Sequence, residues 1–214
     1  MIIKYLLIRL VPVLLLFALG YSFFIPSAGE RQFLRMEAAL AKAKSYRMEE
    51  SAQGKTIDHW TFEVVCPDRQ HSLQTSAFAE RQWDTPRDVY IEHFDVGNRH
   101  YVKYFKDADW KLDGAGRSVC GHSVPFLQDG YFPDFKHIRA LGGIEKRGMD
   151  TVAGQACREW RVTFHAGNGN EKILDYCIGS DDLPRRLIAN ENSFRVVWTD
   201  WNQPIEIDPP EWPR

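Results

Sequence analysis

Hydrophobic positions along this chain fall into three regimes. Residues 1–28 are almost wholly apolar, and Leu10–Leu19 carry no charge at all. From Gly29 to Tyr46 the positions Phe33, Met36, Leu40 and Ala41 recur at helical spacing, with Glu30, Arg31, Arg35, Lys42 and Lys44 mostly on the other side. That pattern predicts one amphipathic helix. Beyond it the period changes to two and largely stays there. Trp60, Phe62 and Val64 alternate with polar residues, and Val89–Phe94 and Arg99–Phe105 flank a DVGN turn. Residues 156–165 (ACREWRVTFH) and 171–178 (EKILDYCI) alternate on either side of AGNGN, which reads as a hairpin. Arg185–Ala189 and Ser193–Trp201 follow, with Phe194, Val196 and Trp198 on one face, and Gly143–Val152 and Pro204–Ile207 are further short strands. Only Ser118–Leu141, holding Pro125, Gly130 and Pro133, breaks the alternation, with a short helix expected around Phe135–Leu141.

About nine antiparallel strands behind one leading helix make an open, curved sheet that needs a cover, and the helix is that cover. The fold class expected is α+β, mainly antiparallel β. Domain organisation follows the same pattern: residues 1–28 as a separate hydrophobic segment, and residues 29–214 as one domain. No internal repeat or low-complexity tract interrupts it.

The first segment has the features of an export or anchoring sequence. Lys4 and Arg9 supply positive charge ahead of the apolar run, and Ser27, Ala28 and Gly29 offer the small residues a signal peptidase needs. Tyr5 to Ile25 is also long enough to span a bilayer if it is not removed. A cleaved signal and an uncleaved transmembrane anchor therefore both stand, and in either case the remainder lies outside the cytoplasm. No cysteine follows the apolar run, so the segment is not a bacterial lipobox.

Composition narrows the function classes. With 44% hydrophobic and 26% charged residues, the chain can bury a core and is not disordered. Its 27 basic and 29 acidic residues give a formal net charge of −2. Setting aside Lys4 and Arg9 leaves the body with 25 basic against the same 29 acidic residues, a net of −4. Such a surface has no basic surplus for nucleic acid or for anionic membrane. Membrane attachment, if it occurs, comes from the N-terminal helix. Aromatic residues reach 13%, with seven Trp, eight Tyr and thirteen Phe.

All four cysteines, Cys66, Cys120, Cys157 and Cys177, lie in the exported part, where an even count suggests two disulfides. A hairpin centred on Gly167 sets Cys157 opposite Cys177, both on its more polar face. A two-residue slip would keep the faces and make the two cysteines diagonal neighbours. By elimination Cys66 pairs with Cys120. No pair has C-x-x-C spacing, so zinc-ribbon and thiol-redox readings are weak.

Catalytic patterns in the chain are weak. His59, His71, His93, His100, His122, His137 and His165 show no compact metal-ligand spacing, although His93 and His100 can face each other across the DVGN hairpin. Gly121-His122-Ser123 beside Cys120 begins like a nucleophile elbow, but Pro125 stands where the motif needs glycine. Asp181, Asp182, Asp109 and Asp113 read as turn acids. AGNGN lacks the following helix of a phosphate loop. No enzyme, no metal site and no cofactor is expected.

Several pieces in this order carry a resemblance: the helix, WTFEVVCPDRQ, DVYIEHFDVGNRHYVKYFKDADWKLD, Gly154-Gln155-Ala156-Cys157-Arg158-Glu159-Trp160, YCIGSDDLPRRLIA and WTDWNQPIEIDPP. The chain resembles the periplasmic lipoprotein-carrier superfamily, which includes the Lol-type carriers and the mycobacterial glycolipid-binding lipoproteins. The match spans roughly residues 30–210. The resemblance implies a half-barrel whose concave, helix-covered face holds acyl chains. The aromatic face bearing Trp60, Phe62, Trp160, Phe164, Tyr176, Phe194 and Trp198 is the expected ligand pocket. The expected function is noncovalent binding of a lipid or acylated molecule in the bacterial cell envelope, by a periplasmic domain that is secreted or held at the inner membrane. The alternative is a membrane-anchored envelope sensor or interaction module without a bound lipid, its protein partner unknown.

Overall fold

The protein is described here from a computed structural model, in which residues 26–53, 56–78, 88–104, 109–115, 143–165, 171–189 and 194–207 are described. Helix α1 (Ala28–Leu40) starts at a capping box: the Ser27 hydroxyl accepts from the Glu30 backbone N–H at 3.1 Å, and the Glu30 carboxylate accepts from the Ser27 N–H. The helix is shorter than its sequence period predicted. From Ser45 the chain becomes strand β1 (Ser45–Gln53), every residue of which has a partner on β2 (Thr56–Val65). Pairing on both sides, with β2 and with the last strand, overrides the helical leaning of Met48-Glu49-Glu50-Ser51-Ala52.

The remaining strands are β3 (Arg69–Phe78), β4 (Asp88–Val96), β5 (Arg99–Tyr104), β6 (Lys111–Ala115), β7 (Gly143–Val152), β8 (Gln155–His165), β9 (Glu171–Gly179), β10 (Pro184–Ala189) and β11 (Phe194–Thr199). They form one open antiparallel sheet in the order β6-β5-β4-β3-β2-β1-β11-β10-β9-β8-β7. Every neighbouring pair is sequential except β1 with β11. The expected α+β class, mainly antiparallel, is the architecture observed. Strands β1, β3 and β6 were not anticipated. Pro204–Ile207 is not a strand: Ile205 and Ile207 pack instead with Phe94 of β4. The short helix expected around Phe135–Leu141 lies outside the described residues, as does the 1–25 part of the hydrophobic segment. Among the described residues no helix is long and apolar enough to cross a membrane.

Strand parity sorts the core. Phe33 of α1, fully buried, meets the Tyr176 ring of β9 edge-on at 5.1 Å. That face carries Trp160 and Val162 of β8, Leu174 and Ile178 of β9, Leu187 of β10, Val196 and Trp198 of β11, Met48 of β1 and Phe62 of β2, all in one buried cluster. The helix is pinned at two places. At Gly29 an added Cβ would sit 2.5 Å from Ile144 Cγ2 of β7, so only glycine permits that approach. In the β9–β10 turn, Asp182 accepts from Gln32 Nε2 at 2.8 Å and pairs with Arg35 Nε at 3.2 Å. Asp181 salt-bridges Arg185 at 2.6 Å, and Trp201 Nε1 donates to the Pro184 carbonyl at 2.8 Å. Asp181 and Asp182 are therefore structural anchors rather than merely solvated turn acids.

The disulfide Cys157–Cys177 is present, but the hairpin register differs from the one predicted. Cys157 pairs with Gly179 and Cys177 with Glu159, so the turn is centred one residue later and the cysteines are diagonal. Their Cα atoms are 5.3 Å apart, well inside disulfide reach. They pack with Val152 and Val197 on the face away from the helix. Cys66 is disulfide-bonded as well, and Cys120, its predicted partner, lies outside the described residues.

Three outcomes are expected in denaturant titrations of the full chain. Phe33→Ala loses about 3–5 kcal/mol, as for other fully buried aromatics. Asp182→Ala loses about 1–2 kcal/mol, because one part-buried charge-assisted hydrogen bond goes and the exposed Arg35 pair adds little. Removing Cys157–Cys177 by a double serine substitution costs about 3 kcal/mol in the chain-entropy account, and that difference disappears under reducing conditions.

Candidate functional site

The helix-facing surface of the sheet assembles most of the aromatic residues singled out from the sequence. Trp160, Tyr176, Trp198 and Phe62 are buried in the main cluster, and Trp60 and Phe194 pack against it partly buried. Phe164 occupies its strand position opposite Lys172, but its side chain is outside the described set. Trp60 and Phe62 stack with centroids 5.9 Å apart and planes within 5°. Burial pushes the Tyr46 phenol up to about 12 and that of Tyr176 well above its usual value. Neither phenol ionises near neutral pH.

Three polar atoms interrupt it. Trp160 Nε1, Trp198 Nε1 and Glu50 Oε2 are shielded from solvent and have no hydrogen-bond partner in the protein. Glu50 is the unexpected member. It lies on β1 between Trp60 of β2 and Val196 of β11, and the residue is only 5% exposed. Burial first, and the nearby Asp58 carboxylate second, push its carboxyl up to about 7. Sequence reading missed it because the expected helix ended at Tyr46 and residues 47–53 were assigned to no element. The available indication was the alternation Tyr46, Met48, Glu50, Ala52, in which a glutamate takes an inward position.

Towards β3–β5 the same face turns polar. Gln70 and Ser72 of β3 and Asp95 of β4 are buried there. Asp95 Oδ1 lies 2.8 Å from His100 Nδ1, and His100 Nε2 lies 3.4 Å from His93 Nδ1, whose ring stacks on Trp60. Assigning the His100 proton to Nδ1, toward Asp95, leaves Nε2 as acceptor for His93. Burial, then the neighbouring His100, lowers the His93 pKa, so this imidazole stays neutral at neutral pH. The two histidines do meet across the DVGN hairpin. Ser72 is opposite His93 in the strand pairing, yet no hydrogen bond joins them. Among the described residues, no three His, Cys, Asp or Glu side chains gather as metal ligands. His122, His137, Cys120 and Ser123 are outside the described residues.

The opposite face is of another kind. A depression of about 390 Å³ there is lined by Glu49, Ser51, His59, Arg186, Arg195 and Val197, none of them in the predicted aromatic set. Arg186 in its wall bridges Asp150 at 2.6 Å and Glu159 at 2.8 Å, and Arg161 clamps Asp175 through two bonds of 2.7 and 2.8 Å. Those arginines are already neutralised by carboxylates. The Thr151 backbone N–H, then Arg186, hold the Asp150 carboxyl below its ordinary range.

An open antiparallel sheet with one apolar, helix-covered face is an architecture shared with solved structures. The chain is similar to the lipoprotein LppX of Mycobacterium tuberculosis, with a TM-score of 0.56 and 13% identity over 85% of this chain and 98% of that one. It is equally similar to LprF of Mycobacterium bovis, with a TM-score of 0.56 and 12% identity over 86% of this chain and 98% of that one. The resemblance read from the sequence motifs therefore holds at the level of the fold. No family model matches the chain, and no curated protein matches it.

Glu50 makes stability pH-dependent in a defined direction. Its folded-state pKa lies above the unfolded value of 4.5, so the native state keeps a proton that the unfolded state has released. Its contribution to stability therefore falls as pH rises from about 4.5 to about 7 and is flat above that. The decrement is of the order of 3 kcal/mol. Glu50→Gln removes this component, so a urea-melt series from acid to neutral pH shows a smaller loss in the variant.

Proposed function

We propose that this chain binds a lipid or acylated molecule noncovalently in the bacterial cell envelope, with its folded domain outside the cytoplasm and residues 1–28 serving as export signal or membrane anchor. The observation that carries this reading is the aromatic and aliphatic face that runs from Phe62 of β2 to Trp160 of β8 beneath α1, broken by the Glu50 carboxyl and two indole N–H groups. In this reading Trp60, Phe62, Trp160, Phe164, Tyr176, Phe194 and Trp198 line the ligand site, and α1 is its movable cover.

The energetics support it. Each methylene transferred from water contributes about 0.8 kcal/mol, so a long acyl chain offsets substantial ordering costs without any charged contact. The cover is held to the sheet by the Gly29 approach, by Phe33 and Met36 in the main cluster, and by the bonds of Gln32 and Arg35 to Asp182. Similarity of fold to a mycobacterial lipoprotein is consistent with an envelope role. The body's acidic balance and the absence of a basic stripe leave nucleic acid without an electrostatic attraction.

Native mass spectrometry of the full chain, purified in mild detergent from a bacterial envelope and then extracted with organic solvent, tests the reading. The expected result is an adduct with the mass of an acyl-chain compound, lost on extraction and regained on incubation with lipid. A single apo mass that incubation with envelope lipids does not change overturns it.

A further inference from the structure

We infer that the inner face selects an aliphatic chain carrying a hydroxyl group within its length, and that Glu50, with Trp198 beside it, receives that hydroxyl. This deepens the lipid-binding reading and rests on it.

The argument starts from position. Glu50 is the acidic residue set into the middle of the apolar row, with Val196 on one side and Trp60 on the other. Trp198, paired with Met48, is its diagonal neighbour on the adjoining strand. Glu50 Oε2 and Trp198 Nε1 are both fully shielded and both lack a protein partner, although their residues are 5% and 1% exposed. A buried polar atom without a hydrogen bond costs about 1–3 kcal/mol, and folds rarely keep two on diagonal neighbours of adjoining strands without a use. One is a carboxyl oxygen, which accepts and, while the group keeps its proton, can also donate. The other is an indole N–H, which only donates. A hydroxyl is the small group that donates to the first and accepts from the second at once. An ammonium cannot accept from the indole, and an anionic head group would meet both Glu50 and Asp58, which shares this face of β2. A plain alkyl chain would leave both atoms unsatisfied. The burial of Glu50 also places this contact inside the apolar face rather than at its solvent edge. The site therefore suits a hydroxylated acyl or alkyl chain more than an unsubstituted one.

The test compares methyl stearate with methyl stearates bearing one hydroxyl, near the head or at mid-chain, by native mass spectrometry and competition on the full chain. Methyl esters are used so that no free carboxylate confounds the result. The wild type is expected to prefer at least one hydroxylated ester by about tenfold, the size of one satisfied buried hydrogen bond. Glu50→Gln, which still accepts and donates, keeps the preference. Glu50→Leu binds methyl stearate at least as well as wild type and loses the preference, which also shows that the variant is folded. Equal binding of all esters by wild type, or a preference that survives in Glu50→Leu, overturns this inference and leaves lipid binding standing. Failure of every ester to bind overturns the lipid-binding reading itself, and this inference with it.

Discussion

The pairing of β1 with β11 is the joint on which the molecule depends. Strands β1 to β6 form one meander and β7 to β11 another, each built from neighbouring strands. Only the six residue pairs from Arg47↔Thr199 to Ala52↔Phe194 merge them into one sheet. Partners such as Met48 and Trp198 stand far apart in sequence, so loop-closure entropy is met before this seam returns any stability. What makes it hold is apolar burial across it. Met48 and Trp198 are each 1% exposed, and the Tyr46 ring meets Trp201 at 4.7 Å, tilted by 37°, just beyond the last strand. Without the seam, α1 would have only the β7–β11 half to cover, and Phe62 and Val64 would be left open to water.

Much of this was legible in the sequence wherever alternation was clean. The hairpin of β8 and β9, the apolar faces of Trp160, Val162, Leu174 and Tyr176, and the β-dominated class all follow from period-two patterning. The failures share one physical cause. β3 carries Gln70, Ser72 and Gln74 on one face and His71, Leu73 and Thr75 on the other, so neither side reads as apolar. β1 places a glutamate at an inward position and a helix-favouring run around it. The hairpin register slipped by two because AGNGN permits more than one turn and parity cannot distinguish registers two residues apart. The Asp181–Arg186 segment was noticed as specific, but its work as the anchor of the helix required knowing that Gln32 lies above Asp182.

The sheet divides its labour between faces. Away from the helix, stability is built from local and covalent devices: the Cys157–Cys177 cross-link, the Arg161–Asp175 clamp, and the C-terminal Ile205 and Ile207 seated against Phe94. These contacts owe nothing to what occupies the other surface. The helix-facing surface can then tolerate groups that a pure core would exclude. Glu50, Trp160 and Trp198 each hold an unsatisfied buried atom there, a combined cost of several kcal/mol if nothing satisfies them.

That cost falls at the seam, which argues against regarding Glu50 as incidental. A leucine at the same position would strengthen the β1–β11 joint by removing a desolvated carboxyl, and cores commonly favour such a replacement. The glutamate instead weakens the one contact that unites the two meanders, and does so beside a tryptophan whose indole N–H is equally unpaired. On the proposed reading, a bound molecule would satisfy these two complementary polar atoms at the junction of the meanders. Ligand binding would then tighten the seam as well as fill the face. Because binding to the folded state alone raises stability, occupancy and sheet integrity become linked quantities. In the lipid-binding reading, the polar interruption of this apolar surface is the feature that would separate a binding face from a core.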